Sequence, residues 1–298
     1  MITFFTIPKP FRGHIGVIQR NAILSWKHLP VPCEVILVGE EEGAAQAAIE
    51  FGARHIPNVA RNEFGTPLLD SAFALAQETA SHPIMIYANA DIIFLSDLVR
   101  ALPRIPFHKF LTVGTRTKVW LNDAIDFSTP DWEEQLRIYI QQHAEPISPT
   151  GIDYFIFPRG MFSQLPPFAV GRVCWDNWMI YHARASQIPV VDASQAILAV
   201  HQNHDYAHIE GGKSTVWHGE EAQRNLELAG GWAHVFTITD ATWKLGKRGI
   251  FPALSPKNLK RRWETKWVLH PKLFKTLVKL WGLRRLPAKL VANKHGRK

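Results

Sequence analysis

The sequence predicts an α/β protein with a mainly parallel central sheet, on three observations. Short β-branched and aromatic runs recur from the N-terminus onward, at Ile2 to Ile7, Glu34 to Val38, Ile84-Met85-Ile86 and Phe110 to Val113. Segments with apolar residues at helical spacing separate them. The runs are apolar throughout rather than alternating, as strands buried on both faces require. Together these give a three-layer sandwich, helices on either side of a sheet. In such sheets, ligands bind beyond the carboxyl ends of the strands.

The first run is broken by Pro8 and Pro10, and His14 to Leu29 then places Ile15, Ile18, Ala22, Ile23 and Trp26 on one helical face. Glu34 to Val38 is closed by Gly39 and the acidic turn Glu40-Glu41-Glu42-Gly43, followed by a short helix, Ala44 to Phe51, and a weak strand at His55 and Ile56. Thr66 is expected to cap a helix with Pro67 in its first position. The strand ending at Tyr87 runs into Asn89-Ala90-Asp91, and Ser96 begins a further helix. Later, Asp131 to His143 and Trp175 to Ala185 read as helices, and Ile152 to Phe157, Pro189 to Val191 and Ile197 to Val200 as strands. The order places Pro8, Lys9, Gly39, Glu40, Asn89 and Asp91 on one rim.

A 46% hydrophobic, 20% charged chain of 298 residues has ample material for a core and excludes a disordered protein. Its net charge of +8 divides sharply. From Lys244 onward there are 17 basic residues and one acid, Glu264, so residues 244–298 carry +16 and residues 1–243 carry −8. We therefore expect an acidic body and a basic extension, with the division at 243/244. Cys33 and Cys174 have no metal-ligand spacing and read as buried thiols in a reducing compartment. Met1 to Lys9 has the wrong order for a signal peptide, and no uncharged run reaches the ~18 residues of a spanning helix. A cytoplasmic protein, or one on the cytosolic face of a membrane, is the expectation.

Four constellations carry chemistry. Asp91, at a strand end in a turn of small residues, suits a divalent cation that also holds phosphates, or else caps the turn. His201-Gln202-Asn203-His204-Asp205-Tyr206-Ala207-His208 is either a ligand-bearing segment, with His201 at a strand end, or a polar loop. Asp176, between Trp175 and Trp178 at a helix start, is either a general base with a raised pKa or an N-cap. Glu63-Phe64-Gly65-Thr66-Pro67 is a glycine turn that can meet an anion or a ribose hydroxyl. Gly211-Gly212 and Gly230-Gly231 read as turns, the first near enough to the His201 loop to help it close.

Taken in order, Pro8-Lys9, Glu40, Gly65-Thr66, Asn89-Ala90-Asp91, Asp176 and His201 resemble a GT-A fold glycosyltransferase of the family-two-like, nucleotide-diphosphate-sugar-dependent kind, over roughly residues 2 to 210. The resemblance implies that Asp91 and His201 hold Mn²⁺ or Mg²⁺, which bridges the donor phosphates. It implies that Glu40 meets the base, that Gly65 and Thr66 line the nucleotide cleft, and that Asp176 deprotonates the acceptor hydroxyl. The family's strand-end Asp-x-Asp motif has Asn89 in its first position here, where the family's carboxylate faces sugar or ribose. Lys9, Arg116 or Arg159 would add charge for the diphosphate. Asp153 to Gly160 and Trp175 to Trp178 also resemble parts of a glycosyltransferase-like subgroup. The implied partners are a nucleotide-diphosphate sugar and a glycan or lipid-linked acceptor, in cell-surface polysaccharide synthesis.

In the extension, Pro271 stands at a helix start, and Leu273, Phe274, Leu277, Leu280 and Trp281 repeat at helical spacing among lysines. Such a basic amphipathic helix fits an anionic membrane surface. The rival readings are a nucleic-acid-binding protein that uses this tail on an α/β scaffold, a nucleotidyltransferase of related fold, and a sugar-binding domain that has lost turnover. An acidic body without a nucleic-acid motif argues against the first.

Overall fold

A computed structural model describes residues 1–145, 151–204 and 216–271. The run Ile197 to Val200 belongs to a second sheet, and the other seven of the eight runs read as strands, joined by two strands that the sequence does not reveal, form one nine-stranded sheet. In chain order its strands are β1 (Ile2–Thr6), β2 (Cys33–Val38), β3 (Arg54–Ile56), β4 (Ile84–Ala88), β6 (Leu111–Val113), β8 (Tyr154–Pro158), β9 (Val190–Asp192), β11 (Trp243–Gly246) and β12 (Gly249–Pro252). Their spatial order is β12-β11-β9-β6-β8-β4-β1-β2-β3. β1 runs parallel to β2 and β4, β2 to β3, and β9 to both β6 and β11. β8 lies antiparallel between β4 and β6, and β12 forms an antiparallel edge. A small second sheet joins β5 (Ile92–Ile93), β10 (Ala199–Gln202) and β7 (Arg116–Val119).

Side chains alternate faces along each strand, and this builds two cores. Phe4, Ile86 and Ile156 face one way, with Ala22, Ile23 and Trp26 of α1 (Gly13–Lys27), Ala47 and Ala48 of α2 (Ala44–Phe51) and Leu98 of α4 (Ser96–Ala101). Phe5, Tyr87 and Phe157 face the other way, against Phe73 of α3 (Leu69–Thr79) and Met179 of α6 (Trp175–Ala185). The expected three layers are thus present. α5 (Trp132–His143) packs Leu136 and Ile140 with Val200 over the small sheet, and α7 (Glu220–Leu228) and α8 (Pro256–Leu269) complete the described elements.

Several local expectations change. Thr66 does not cap α3 and Pro67 is not its first residue: the helix starts at Leu69, because bridges Arg61↔Pro67 and Leu68↔Ala169 hold the preceding residues extended. The 243/244 division falls inside β11, which pairs with β9 through Trp243 and Lys244, so the sheet continues to Pro252. Cys174 is buried, but Cys33 is only half-buried; both are free thiols. Among the described residues, no helix is long and apolar enough to cross a membrane. Asp205 to Gly212 and the helix read after Pro271 lie outside the described residues.

Candidate active site

Two sheets meet just past the end of β4. Trp26 of α1 stacks on Phe4 at 4.9 Å and donates its indole N–H to the Ile92 carbonyl at 2.9 Å. Buried Gln202 donates its amide to the carbonyls of Ile18 (2.7 Å) and Asp91 (3.2 Å), and accepts from Asn21 at 3.0 Å. The Asn89–Asp91 turn is therefore gripped from both sides. β5 continues directly from it, and its antiparallel pairing sets His201 opposite Ile92. That register brings a histidine from more than a hundred residues away beside Asp91.

The result is a three-ligand cluster: one atom each of Asp91, His201 and His204, all within 4.8 Å of one another. His204 Nε2 lies 3.2 Å and His201 Nε2 3.7 Å from Asp91 Oδ2. Lys9 Nζ closes the group at 3.1 Å from His204 Nε2. The Lys9 backbone is held by Gln19, whose side chain accepts from the Lys9 N–H and donates to its carbonyl.

The electrostatics fit a cation ligand set. Burial raises the Asp91 carboxyl, but His201, the His204 hydrogen bond and Lys9 outweigh it and hold the group well below the usual carboxylate range. Burial lowers His201 despite Asp91, so it favours the neutral imidazole that a metal requires. Burial likewise lowers Lys9. Among the described residues, Asp91 Oδ1 and His201 Nδ1 are buried without a hydrogen-bond partner. An imidazole nitrogen either donates or accepts, so His204 Nε2 satisfies only one of Lys9 and Asp91. A divalent cation beside the carboxylate would give buried Asp91 Oδ1 a partner, and one carboxylate with two imidazoles is a donor set suited to Mn²⁺ and tolerable for Mg²⁺.

β8 contributes through its direction. Because it runs antiparallel, its first residues meet the end of β4: Ala88 pairs with Tyr154, and the Asn89 N–H donates to the Asp153 carbonyl at 2.9 Å. Asp153, 6% exposed, accepts from the Asn89 side chain at 3.0 Å and pairs with Arg116. The same direction carries Arg159 to the opposite edge, where it donates to the Ala80 carbonyl and its own N–H bonds Pro83. Arg159 is thus not a rim cation, whereas Arg116 is.

Asp176 lies in the first turn of α6. It is not the N-cap, which is Cys174 in a left-handed conformation with φ of 80°. Burial pushes the Asp176 carboxyl up to about 7, with Asp153 adding to the rise, and the adjacent Trp175 and Trp178 are both buried.

The nucleotide-side expectations are placed differently. Pro8 is buried beside Lys9 on the rim. Glu40 is exposed and lies 3.6 Å from Arg61, while Arg61 bonds half-buried Glu41 at 2.9 Å. Gly65 and Thr66 lie in a turn organised by Asn62, whose side-chain Oδ1 accepts from the Phe64 and Thr66 N–H groups. The Thr66 side chain helps to hold the carboxyl of Glu221, in α7, below its ordinary value, and Glu221 also accepts from Asn62 and Arg172. None of the hydrogen bonds described for this turn runs to Asp91 or its histidines.

No family model matches the chain, and no curated protein matches its sequence. Among solved structures, it is similar to glucosyl-3-phosphoglycerate synthase from Mycobacterium tuberculosis in complex with Mg²⁺ and uridine diphosphate, at 14% identity and a TM-score of 0.45, over 78% of this chain and 80% of that one. It is also similar to a mannosyltransferase from Pyrobaculum calidifontis in complex with GDP-Man and Mn²⁺, at 14% identity and a TM-score of 0.42, over 67% of this chain and 56% of that one. At these values the likeness concerns the course of the chain; chemistry is carried by the rim.

Proposed function

We propose that this chain is a glycosyltransferase that moves a sugar from a nucleotide-diphosphate sugar to a hydroxyl acceptor at a divalent-cation site on this rim. The observation that carries the reading is the convergence of Asp91, His201 and His204, with partnerless buried atoms, at the end of β4. Mn²⁺ or Mg²⁺ there supplies positive charge to the diphosphate leaving group. Asp91, His201 and His204 hold the cation, and Lys9 stands beside them with its ammonium directed at the same space. Asp176 accepts the acceptor's hydroxyl proton as its oxygen bonds the sugar carbon and the carbon–phosphate oxygen bond breaks. A carboxyl at about 7 suits that role, because near neutral pH it is substantially unprotonated yet still basic. A glycan or lipid-linked acceptor, in cell-surface glycan synthesis, completes the proposal.

A thermal-shift screen of nucleoside diphosphates and their sugars, with and without Mn²⁺, tests it. Stabilisation that needs both nucleotide and metal is the expected outcome. Metal-independent binding, or none, would overturn the reading.

An anionic membrane is the proposed partner of the basic C-terminal part. α8 turns Arg261 toward Asp240 and Arg262 toward the Thr242 carbonyl, and buries Asn258 and Thr265. Its other side exposes Leu259, Lys260 and Trp263, with Lys266 3.1 Å above the Trp263 ring. Apolar and cationic groups on one exposed face suit a lipid interface. Flotation with phosphatidylserine vesicles is expected and should weaken in Trp263→Ala; RNA binding without vesicle binding would favour the nucleic-acid alternative.

A further inference from the structure

Asn89 stands where a second strand-end carboxylate would complete the pair with Asp91, and it has not left the site short of one. β8 delivers Asp153 to the position across from it. The contact is doubly specified, by the Asn89 N–H on the Asp153 carbonyl at 2.9 Å and by the Asn89 amide on Asp153 Oδ1 at 3.0 Å. Two glycines give the arrangement its room. A Cβ at Gly114 would lie 2.1 Å from the hydroxyl of buried Tyr154, which begins β8, and a Cβ at Gly151 would lie 2.9 Å from Arg116 Nε. Neither Tyr154 nor Arg116 could keep its place with a larger residue there.

We propose that Asp153 supplies the second carboxylate of the cation and donor site, and that Asn89 is the positioning residue that holds it there. This rests on the reading of the rim as a metal-dependent nucleotide-sugar site. An aspartate at 89 would set two carboxylates at hydrogen-bonding distance with no proton between them. An asparagine donates instead, so amide at 89 and carboxylate at 153 are a matched exchange of the usual places. Asp153 acts on the site's other charges as well: it favours the protonated forms of Lys9 and His201 and raises Asp176. Arg116 pairs with it from the opposite side.

The test uses the full chain and Mn²⁺ alone, with free Mn²⁺ read from its electron paramagnetic resonance signal and folding checked by thermal melts. Wild type should bind, and Asp91→Asn should not. Asp153→Asn should weaken Mn²⁺ binding by about 10- to 100-fold, the range for groups that support metal ligands. The exchange variant Asn89→Asp/Asp153→Asn moves the carboxylate across the same hydrogen bond and should recover most of the loss. If Asp153→Asn binds as wild type does, or the folded exchange variant is as weak as Asp153→Asn, the proposal is overturned while the metal reading stands. If Asp153→Asn does not fold, because Arg116 is left without its carboxylate, the substitution is made in Arg116→Gln and read against that single variant, with the same loss expected and its absence overturning the proposal. If wild type takes up no Mn²⁺, or Asp91→Asn takes it up equally well, the metal reading fails and this inference with it.

Discussion

Two stretches of the same rim, at the ends of β2 and β4, carry similar residues and treat them in opposite ways. At β2, Glu40 and Glu41 face Arg61, and the Glu40 side chain is 70% exposed. Arg61 gives both carboxylates an opposite charge, although Glu41 Oε2, like Asp91 Oδ1, is buried without a hydrogen bond. At β4, Asp91 is 8% exposed and shares its space with two imidazoles and an ammonium. Burial makes His201 and Lys9 less basic, and one Asp91 oxygen has no partner among the described residues. Burying polar groups in this way costs stability unless something pairs with them. The contrast separates a rim that is merely charged from one prepared for a cation.

The largest expected effect is at Asp91. Asp91→Ala removes the carboxylate that Asp91 brings to His201 and His204 and should abolish Mn²⁺-dependent nucleotide binding in calorimetry, with transfer down by more than about 100-fold. Metal-dependent binding that survived in both Asp91→Ala and His201→Ala would move the cation elsewhere.

Asp176 comes next. Asp176→Asn should lower transfer by about 10²- to 10⁴-fold and leave Mn²⁺ and nucleotide binding near wild type. Activity of the unaltered protein should rise with pH through about 7, as the Asp176 carboxyl loses its proton. Stability should move the other way. The folded state holds this proton up to about 7, whereas the unfolded chain releases it near 4. Below that window the group costs nothing; as pH rises through it, stability falls. Asp176→Asn should therefore melt higher than wild type at pH 8, by an amount on the order of a few kcal/mol. Turnover retained in the Asn variant would assign the base to another group.

The apolar core strands were legible in the sequence; strand direction was not. The apolar runs at 84–86 and 197–200 point to Asp91 and His201 as strand-end residues; the structure sets His201 within β10, one residue short of its end, and brings the two together. An apolar run has the same composition whichever way it runs, so nothing in Tyr154 to Pro158 reveals that β8 is antiparallel. That one fact puts Asp153 on the rim and Arg159 off it. His204 was visible only as one histidine among three, because nothing in its sequence neighbourhood says that the chain leaving β10 turns it toward Asp91. At Asp176, two buried tryptophans announced desolvation, but the cap at Cys174 depends on a left-handed residue that no side-chain preference signals. β11 was concealed by its lysine and by the change of composition around it, although Leu245 is buried.

The smallest effects are expected at β2, and they sharpen the contrast most economically. Arg61→Ala removes the hydrogen bonds to Glu41 at 2.9 Å and to the Gly65 carbonyl at 2.8 Å, and leaves Glu41 with its half-buried carboxylate unpaired by Arg61. A loss of about 1–2 kcal/mol in chemical denaturation follows. Glu40→Ala removes an exposed group whose ion pair is long, so stability should stay within about 0.5 kcal/mol. Any fall in nucleotide affinity in Glu40→Ala would then report a direct contact with the donor rather than a disturbed fold. A several-fold weakening would extend the site from β4 to β2. Unchanged affinity would confine it to β4 and β8 and leave Glu40 as surface charge.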